Sequence, residues 1–300
     1  MEATFTGQEI YSTQLFKALT PQLAPLKAFS TDFTQEAKAP GEGVSVQLVS
    51  ADTVGKFRAE ATDSSHPANN FARSASENKR ITVKFGEADI CGFNVTPYQI
   101  ANFNPGWWKE KANLNADTMA DSILTGVCAK ITAGNFSKKF EIAADDAITL
   151  DELAGLKAYA AKQKLKVARC ALGLDLTLMA KVESIYNQAK SGLTHAQVMS
   201  ELANAIGVRM VFGVPQLPEG LLGFICDPSA LAVAGRSFRP ASDKPYESVR
   251  EIVDPESGIG MTMVEFCDGV TGNLHESVTG LFASEVGVKE ALIRIVKKAG

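Results

Sequence analysis

Two short alternating stretches, held apart by a long polar tract, constrain this chain more than any other feature. Val44, Val46 and Leu48 alternate with Ser45 and Gln47; Ile81, Val83 and Phe85 alternate with Thr82 and Lys84. A period of two places one set of side chains on one face, so both stretches read as half-buried strands. Between them, residues 50–80 hold no Leu, Ile or Met, and Val54, Phe57 and Phe71 are the main large apolar groups. A polar loop of that length inside a compact domain is unusual and is commonly either disordered or functional. The economical reading is a long two-stranded hairpin projecting from a body. An isolated hairpin is marginal in water, so this one needs a partner surface. Lys56, Arg58, Arg73, Lys79 and Arg80 are offset there by Asp52, Glu60, Asp63 and Glu77. Mixed charge of this kind suits ion pairs to a neighbouring protein better than a phosphate track.

The flanking segments supply the body. Ile10, Leu15, Phe16 and Leu19 define a weak amphipathic helix that Pro21 should stop. Residues 1–40 have few other apolar anchors and read as an extended arm lying on something else. Cys91–Ile100 reads as a strand. Ala112, Ala116, Met119, Ala120, Ile123, Val127 and Ile131 keep the spacing of a strong helix, with Gly134–Asn135 as its expected C-cap. Thr149 and Glu152 form a capping box for a helix through Gln163. Strands are expected at Lys166–Leu172, Val208–Val214 and Leu221–Cys226, and helices at Asp175–Gln188 and His195–Ile206. Asp227 should cap a short helix carrying Ala230, Leu231 and Val233. Ser248–Val253 and Gly260–Phe266 pair across the turn Asp254–Gly258, and Glu276–Phe282 and Ala291–Val296 close the chain as extended pieces. The expected fold class is α+β.

With 300 residues there is enough chain for a large core, and a net charge of −4 makes the chain as a whole a poor non-specific binder of nucleic acid or anionic lipid. Five cysteines, odd in number and without a CxxC pair, suit small buried hydrophobes in a reducing compartment. The first residues lack the basic and apolar regions of a secretory signal, and no apolar run is long enough to span a bilayer, so a soluble cytoplasmic protein is expected.

Catalytic and cofactor motifs fail on inspection. His275–Glu276 opens an HExxH pattern, but Thr279 stands at the second histidine position. Gly41-x-Gly43 and Gly258-x-Gly260 lack a third glycine, and Gly55–Lys56 continues with Phe57 where a phosphate loop needs Ser or Thr. His66, His195 and His275 are widely separated, and Asp145, Asp146, Asp151 and Glu152 are better explained as complements to a helix N-terminus than as an acid–base pair. No catalytic residue, cofactor site or metal site is expected, so the chain reads as a non-enzyme. Trp107 and Trp108 anchor a loop or an interface. The alternative is a soluble α/β enzyme or ligand-binding module with a site near that pair.

The segment from Gly220 to Arg236, GLLGFICDPSALAVAGR, resembles the major capsid proteins of tailed bacteriophages, in which a strand meets a short ALA-x-A-x-R helix. The hairpin that follows, the ending Thr279–Ile295 (with Lys289 where an Arg is common) and the turn Thr132–Phe136 after the long helix are similar to the same family. The resemblance implies a Hong Kong 97-type coat fold: an N-terminal arm (1–42), an E-loop hairpin (43–85), a peripheral domain with a spine helix (86–150 and 245–285) and an axial domain (151–244 and 286–300). It implies self-assembly into hexamers and pentamers of an icosahedral head, assembled in the host cytoplasm and enclosing DNA without sequence-specific binding or a membrane. Scaffolding, portal and decoration proteins are the expected partners. Lys56, Phe57, Arg58, Phe71 and Arg73 of the E-loop are the expected contacts to neighbouring subunits.

Overall fold

The computed structural model describes residues 2–34, 36–48, 79–102, 104–142, 149–189, 194–240, 246–254 and 257–298. The helices are α1 (Glu2–Gln22), α2 (Pro97–Ala101), α3 (Pro105–Cys128), α4 (Leu150–Lys162), α5 (Leu176–Ala189) and α6 (His195–Ile206). The strands run from β1 (Ser30–Phe33), β2 (Gly43–Gln47), β3 (Arg80–Lys84), β4 (Asp89–Val95) and β5 (Lys139–Ile142) to β6 (Ala171–Asp175), β7 (Met210–Val214), β8 (Leu221–Cys226) and β9 (Leu231–Ser237). The last four are β10 (Ser248–Val253), β11 (Gly260–Cys267), β12 (Leu274–Val286) and β13 (Leu292–Lys297).

Two sheets organise the body. One has the order β1-β9-β12-β11-β10, with β4 also paired to β12; the other has the order β5-β13-β8-β6-β7. The long strand β12 pairs its first half with β11 and β4 and its second half with β9. Helices α1 and α3 cover one face of the first sheet, and their buried residues Leu15, Leu19, Ala112, Met119 and Ile123 share a core with Met261, Met263 and Val278. Helices α4, α5 and α6 cover one face of the second sheet through Leu156, Leu178 and Leu202. In β8 the period of two holds at its end, where Phe224 and Cys226 face the first core and Ile225 the helices; before the register shift at Ile295/Val296 the sides are exchanged, with Leu221 on the first core and Leu222 on the helices.

The expected hairpin is present at its root. β2 and β3 pair antiparallel, Val44 opposite Val83 and Val46 opposite Ile81. Their inward residues Val46 and Val83, with Leu48 and Phe85, cover Ala232, Ala234 and Leu281 on the other face of the first sheet. Its long loop lies outside the described residues.

Besides Cys91–Ile100, where the strand stops at Val95 and Pro97–Ala101 is helical behind its Thr96 cap, four expectations are corrected. The first is the reading of residues 1–40 as an extended arm: residues 2–22 are helical and lie on the chain's own α3. Pro21 sits inside the last turn, and the N–H of Leu23 still donates to the carbonyl of Leu19 at 3.0 Å. Second, α3 ends at Cys128, before the expected C-cap; Ile131 and Phe136 are then buried in successive turns, and the Asn135 amide donates to the Lys130 carbonyl at 2.8 Å.

Third, Lys166–Leu172 is a turn of 3-10 helix at Val167–Arg169, and the strand starts only at Ala171. Fourth, the short helix expected to carry Leu231 and Val233 is one 3-10 turn, Pro228–Ala230, that runs into β9. The alanines of β9 favour a helix locally, but all seven of its residues are buried between β1 and β12, and that pairing overrides propensity. Gly235 is required there: a β-carbon at this position would meet the Phe33 ring at 2.8 Å and the Phe282 ring at 2.9 Å.

Candidate inter-subunit and charged surfaces

The five expected contact residues, Lys56, Phe57, Arg58, Phe71 and Arg73, lie in the E-loop outside the described residues. What the described residues fix is the β2–β3 root, seated on β9 and β12.

Trp107 and Trp108 are part of an aromatic cluster under α1. Trp108 is 3 % exposed. Its ring meets Phe93 edge-on at 5.6 Å and Trp107 at 5.4 Å, and Phe93 in turn packs on Tyr11 at 4.9 Å. The fixed entry to α3 follows from Pro105 at its first position and from the Asn104 side chain, which accepts from the Gly106 N–H at 2.9 Å. Beside the pair lies a shallow cavity of about 160 Å³, lined by Tyr98, Gln99, Asn102, Asn104 and the two tryptophans. Among the described residues the lining offers amides, aromatic faces and the Tyr98 hydroxyl, and no carboxylate, histidine or thiol. Trp108 therefore serves the core and Trp107 its rim. The tip loop between β11 and β12 ends near this cavity, since a β-carbon on Gly272 would lie 3.5 Å from Pro97. The carboxylate of Asp268 holds that loop by accepting from the Val270 N–H at 3.0 Å and the Thr271 hydroxyl at 2.5 Å, which keeps its carboxyl below the usual range. Val270 is left 94 % exposed at the apex.

Titratable groups in the core are structural. The Asn115 amide donates to the Tyr11 hydroxyl at 2.8 Å, and burial pushes that phenol well up. Burial raises the Cys128 and Cys170 thiols to about 12 and pushes the Cys226 thiol well above its ordinary value too. A buried ion pair ties the N-terminal segment down. The Arg236 guanidinium, its side chain 3 % exposed, reaches the Asp32 carboxylate at 3.0 Å and the Asp32 carbonyl at 2.6 Å, while β1 runs parallel to β9 in register. Among the described residues no group of three His, Cys, Asp or Glu side chains could hold a metal ion, and no helix is long and apolar enough to cross a membrane.

Sequence reasoning passed over one charged feature. Strands β5 and β13 are parallel, β8 is antiparallel to β13 and to β6, so Lys138, Lys289, Asp227 and Arg169 emerge at the same end of the second sheet. The C-terminal end of α4 adds Lys162, Lys164 and Lys166 nearby: the Lys138 ammonium donates to the Gln163 carbonyl at 3.5 Å and to the Glu290 carbonyl at 3.1 Å. The run Lys-Gln-Lys-Leu-Lys was the available signal, but only the strand register brings Lys138 and Lys289 to it.

No protein-family model and no curated protein matches this chain. Solved structures do. A virus-like particle from Pyrococcus furiosus superposes with a TM-score of 0.53 at 12 % identity, covering 96 % of this chain and 98 % of that one. The capsid of a native GTA particle gives 0.51 at 12 % identity over 93 % and 91 %, and a satellite phage P4 procapsid that includes the size determination protein gives 0.50 at 11 % over 96 % and 91 %. The architecture is that of an α+β shell-protein fold. The chain has the Hong Kong 97-type coat fold along nearly its whole length.

Proposed function

We propose that this chain is a major capsid protein whose copies associate into hexamers and pentamers of a closed icosahedral shell around a DNA genome. The observation that carries the reading is the agreement of fold along nearly the whole chain with subunits of three separate particles. A structural, non-enzymatic role fits the cavity beside Trp107, whose described lining holds no carboxylate, histidine or thiol. On this reading the first sheet with α1 and α3 forms the peripheral domain and the second sheet with α4–α6 the axial domain. Strands β5 and β9 then go with the sheets in which they pair. The E-loop lies across a neighbouring subunit through Lys56, Phe57, Arg58, Phe71 and Arg73. Assembly takes place in the host cytoplasm, with scaffolding, portal and decoration proteins as partners, and the chain ends up in the virion.

Light scattering and negative-stain imaging of the purified protein across a concentration series test this. Closed shells or capsomer rings are expected. A strict monomer at every concentration, also with phage lysate added, would overturn the reading. Charge reversal at Lys56 and Arg58 tests the E-loop assignment separately; unchanged shell yield and stability would remove it.

A further inference from the structure

We infer that the end of the second sheet carrying Lys138, Lys162, Lys164, Lys166 and Lys289 is a contact surface for the phosphate backbone of nucleic acid. The inference deepens the capsid reading, because it names what the enclosed polymer touches, and it rests on that reading only for which duplex is met.

Charge is the first ground. The chain carries a net charge of −4, yet five lysines gather here and none of them is in an ion pair among the described residues. Lys162, Lys164, Lys166 and Lys289 are exposed. Of the nearby acids, Asp227 is taken by Arg169 at 3.4 Å, and Glu290 stands exposed beside Lys289. Asp151 and Glu152 are at the far end of α4, about 20 Å away for 13 residues of helix.

Backbone geometry is the second ground. Lys164 has φ +65°, the only positive value at a non-glycine residue among those described. It occupies the position after α4 where helices usually place glycine: the Leu165 N–H donates to the Ala160 carbonyl at 3.0 Å and the Lys164 N–H to the Ala161 carbonyl at 2.9 Å. A lysine there costs conformational energy that glycine would not. The favourable interaction of cations with a helix C-terminus accounts for Lys162 but not for a charge held in a left-handed turn beyond the helix.

The chemistry of the patch selects the partner. Protein interfaces centre on aromatic, Met and Arg anchors and are depleted in Lys. The exposed large apolar residues Ile90, Tyr98, Leu114, Leu176 and Val270 belong to other parts of the chain. Ammonium groups on flexible stems, without a base-reading fork or stacking ring, suit sequence-independent phosphate contact.

The test is binding of a mixed-sequence 30-base-pair DNA duplex by the full-length protein, read by fluorescence anisotropy from 50 to 200 mM salt. Each phosphate contact contributes about 0.9 to the slope of log K against log salt. The variant Lys162→Glu/Lys164→Glu/Lys166→Glu/Lys289→Glu should lower the slope by about 3 to 4 and weaken binding by about 100-fold or more at 50 mM salt, since a fourfold rise in salt costs wild type about 60- to 250-fold more than the variant. The control Lys17→Glu/Lys84→Glu/Lys109→Glu should leave both nearly unchanged. Circular dichroism checks folding, and neutral Lys→Gln replacements at the same four positions give a smaller loss in the same direction if reversal disturbs the fold. Unchanged duplex binding in the patch variant, or equal loss in the control, would overturn the inference. So would tighter binding of polyglutamate than of duplex at matched charge, which would assign the patch to an acidic protein. Scattering on the same preparations reports shell formation independently: intact shells with unchanged duplex affinity sink this inference alone, and duplex binding without any shell sinks the capsid reading alone.

Discussion

The two sheets are covered by different parts of the chain. The second is sealed on one face by α4, α5 and α6, which follow one another in sequence beside its strands. The first relies on distant segments: α1 with α3 on one face, the β2–β3 root on the other, and β1 as an added strand on β9. Residues 24–29 then reach the second sheet, where Phe29 stacks on Phe224 at 6.2 Å and the Arg209 guanidinium donates to the Lys27 carbonyl. The N-terminal segment is thus shared between the sheets. This couples the two bodies, so that a change in one reaches the other through packed side chains and not through a linker alone.

Breaking the shared contact should have the largest effect. Phe224 is fully buried, faces Phe29 and Phe212, and its ring fills space that Gly173 leaves open. Phe224→Ala should cost about 4 kcal/mol, read as a lower denaturation midpoint of the unassembled chain. A double-mutant cycle with Phe29→Ala should show coupling between the two positions; strict additivity would mean that the sheets are independent.

Asp32→Ala attacks the first sheet alone. It leaves the Arg236 guanidinium buried with only carbonyl partners, and removal of one member of such a pair costs about 3 to 5 kcal/mol. Asp32 is itself 29 % exposed, which allows water to offset part of the loss, so the lower figure of about 3 kcal/mol is expected. Arg236→Met combined with Asp32→Ala should recover most of it. Failure to recover would show that β1 is held by its strand pairing and not by the charge.

How much of this was legible in the sequence follows the same division. β8 was readable to the residue, because its apolar run is unbroken and Asp227–Pro228 ends it. The helices with side-chain caps were readable too: Thr149 and Thr194 both form capping boxes in the structure. β9 was not, since Leu-Ala-Val-Ala-Gly has helical propensity and its burial depends on strands more than 40 residues away in β12 and about 200 away in β1. The arm was misjudged because Tyr11, its deepest anchor, carries a hydroxyl that only Asn115 satisfies. The E-loop contacts rest on composition and family resemblance, and the lysine surface needed the register of four strands.

Alkaline pH separates the buried thiols from the exposed one. Cys128, Cys170 and Cys226 are raised by burial above their ordinary value near 9. Between about pH 9 and 12 the unfolded chain loses these protons while the folded chain retains them, so the folded state binds more protons and stability falls as pH rises. Each thiol contributes a slope of about 1.4 kcal/mol per pH unit in that window. Cys128→Ala should flatten the decline by one such increment. Below pH 9 a thiol reagent should modify exposed Cys267 rapidly and leave these three unmodified until the chain unfolds; early labelling of Cys226 would show that the shared core opens.

The smallest effect is expected at the edge of the second sheet, and its sign is opposite. Lys164→Gly removes a β-carbon from a residue at φ +65° without touching the core. Relief of left-handed strain of about 1 to 2 kcal/mol is partly cancelled by the greater freedom of glycine in the unfolded chain, by about 0.4 to 1 kcal/mol. A net gain of about 0.5 to 1 kcal/mol should remain, read as an upward shift of a few degrees at most in Tm. Lys164→Asn should give part of that gain, because Asn tolerates the same backbone region. If both variants are more stable yet bind the DNA duplex more weakly than wild type, the lysine is kept for its charge at a cost to the fold. A Gly variant no more stable than wild type would mean that the turn is relaxed as it stands, and the backbone argument for the phosphate surface would fall while its charge argument remained.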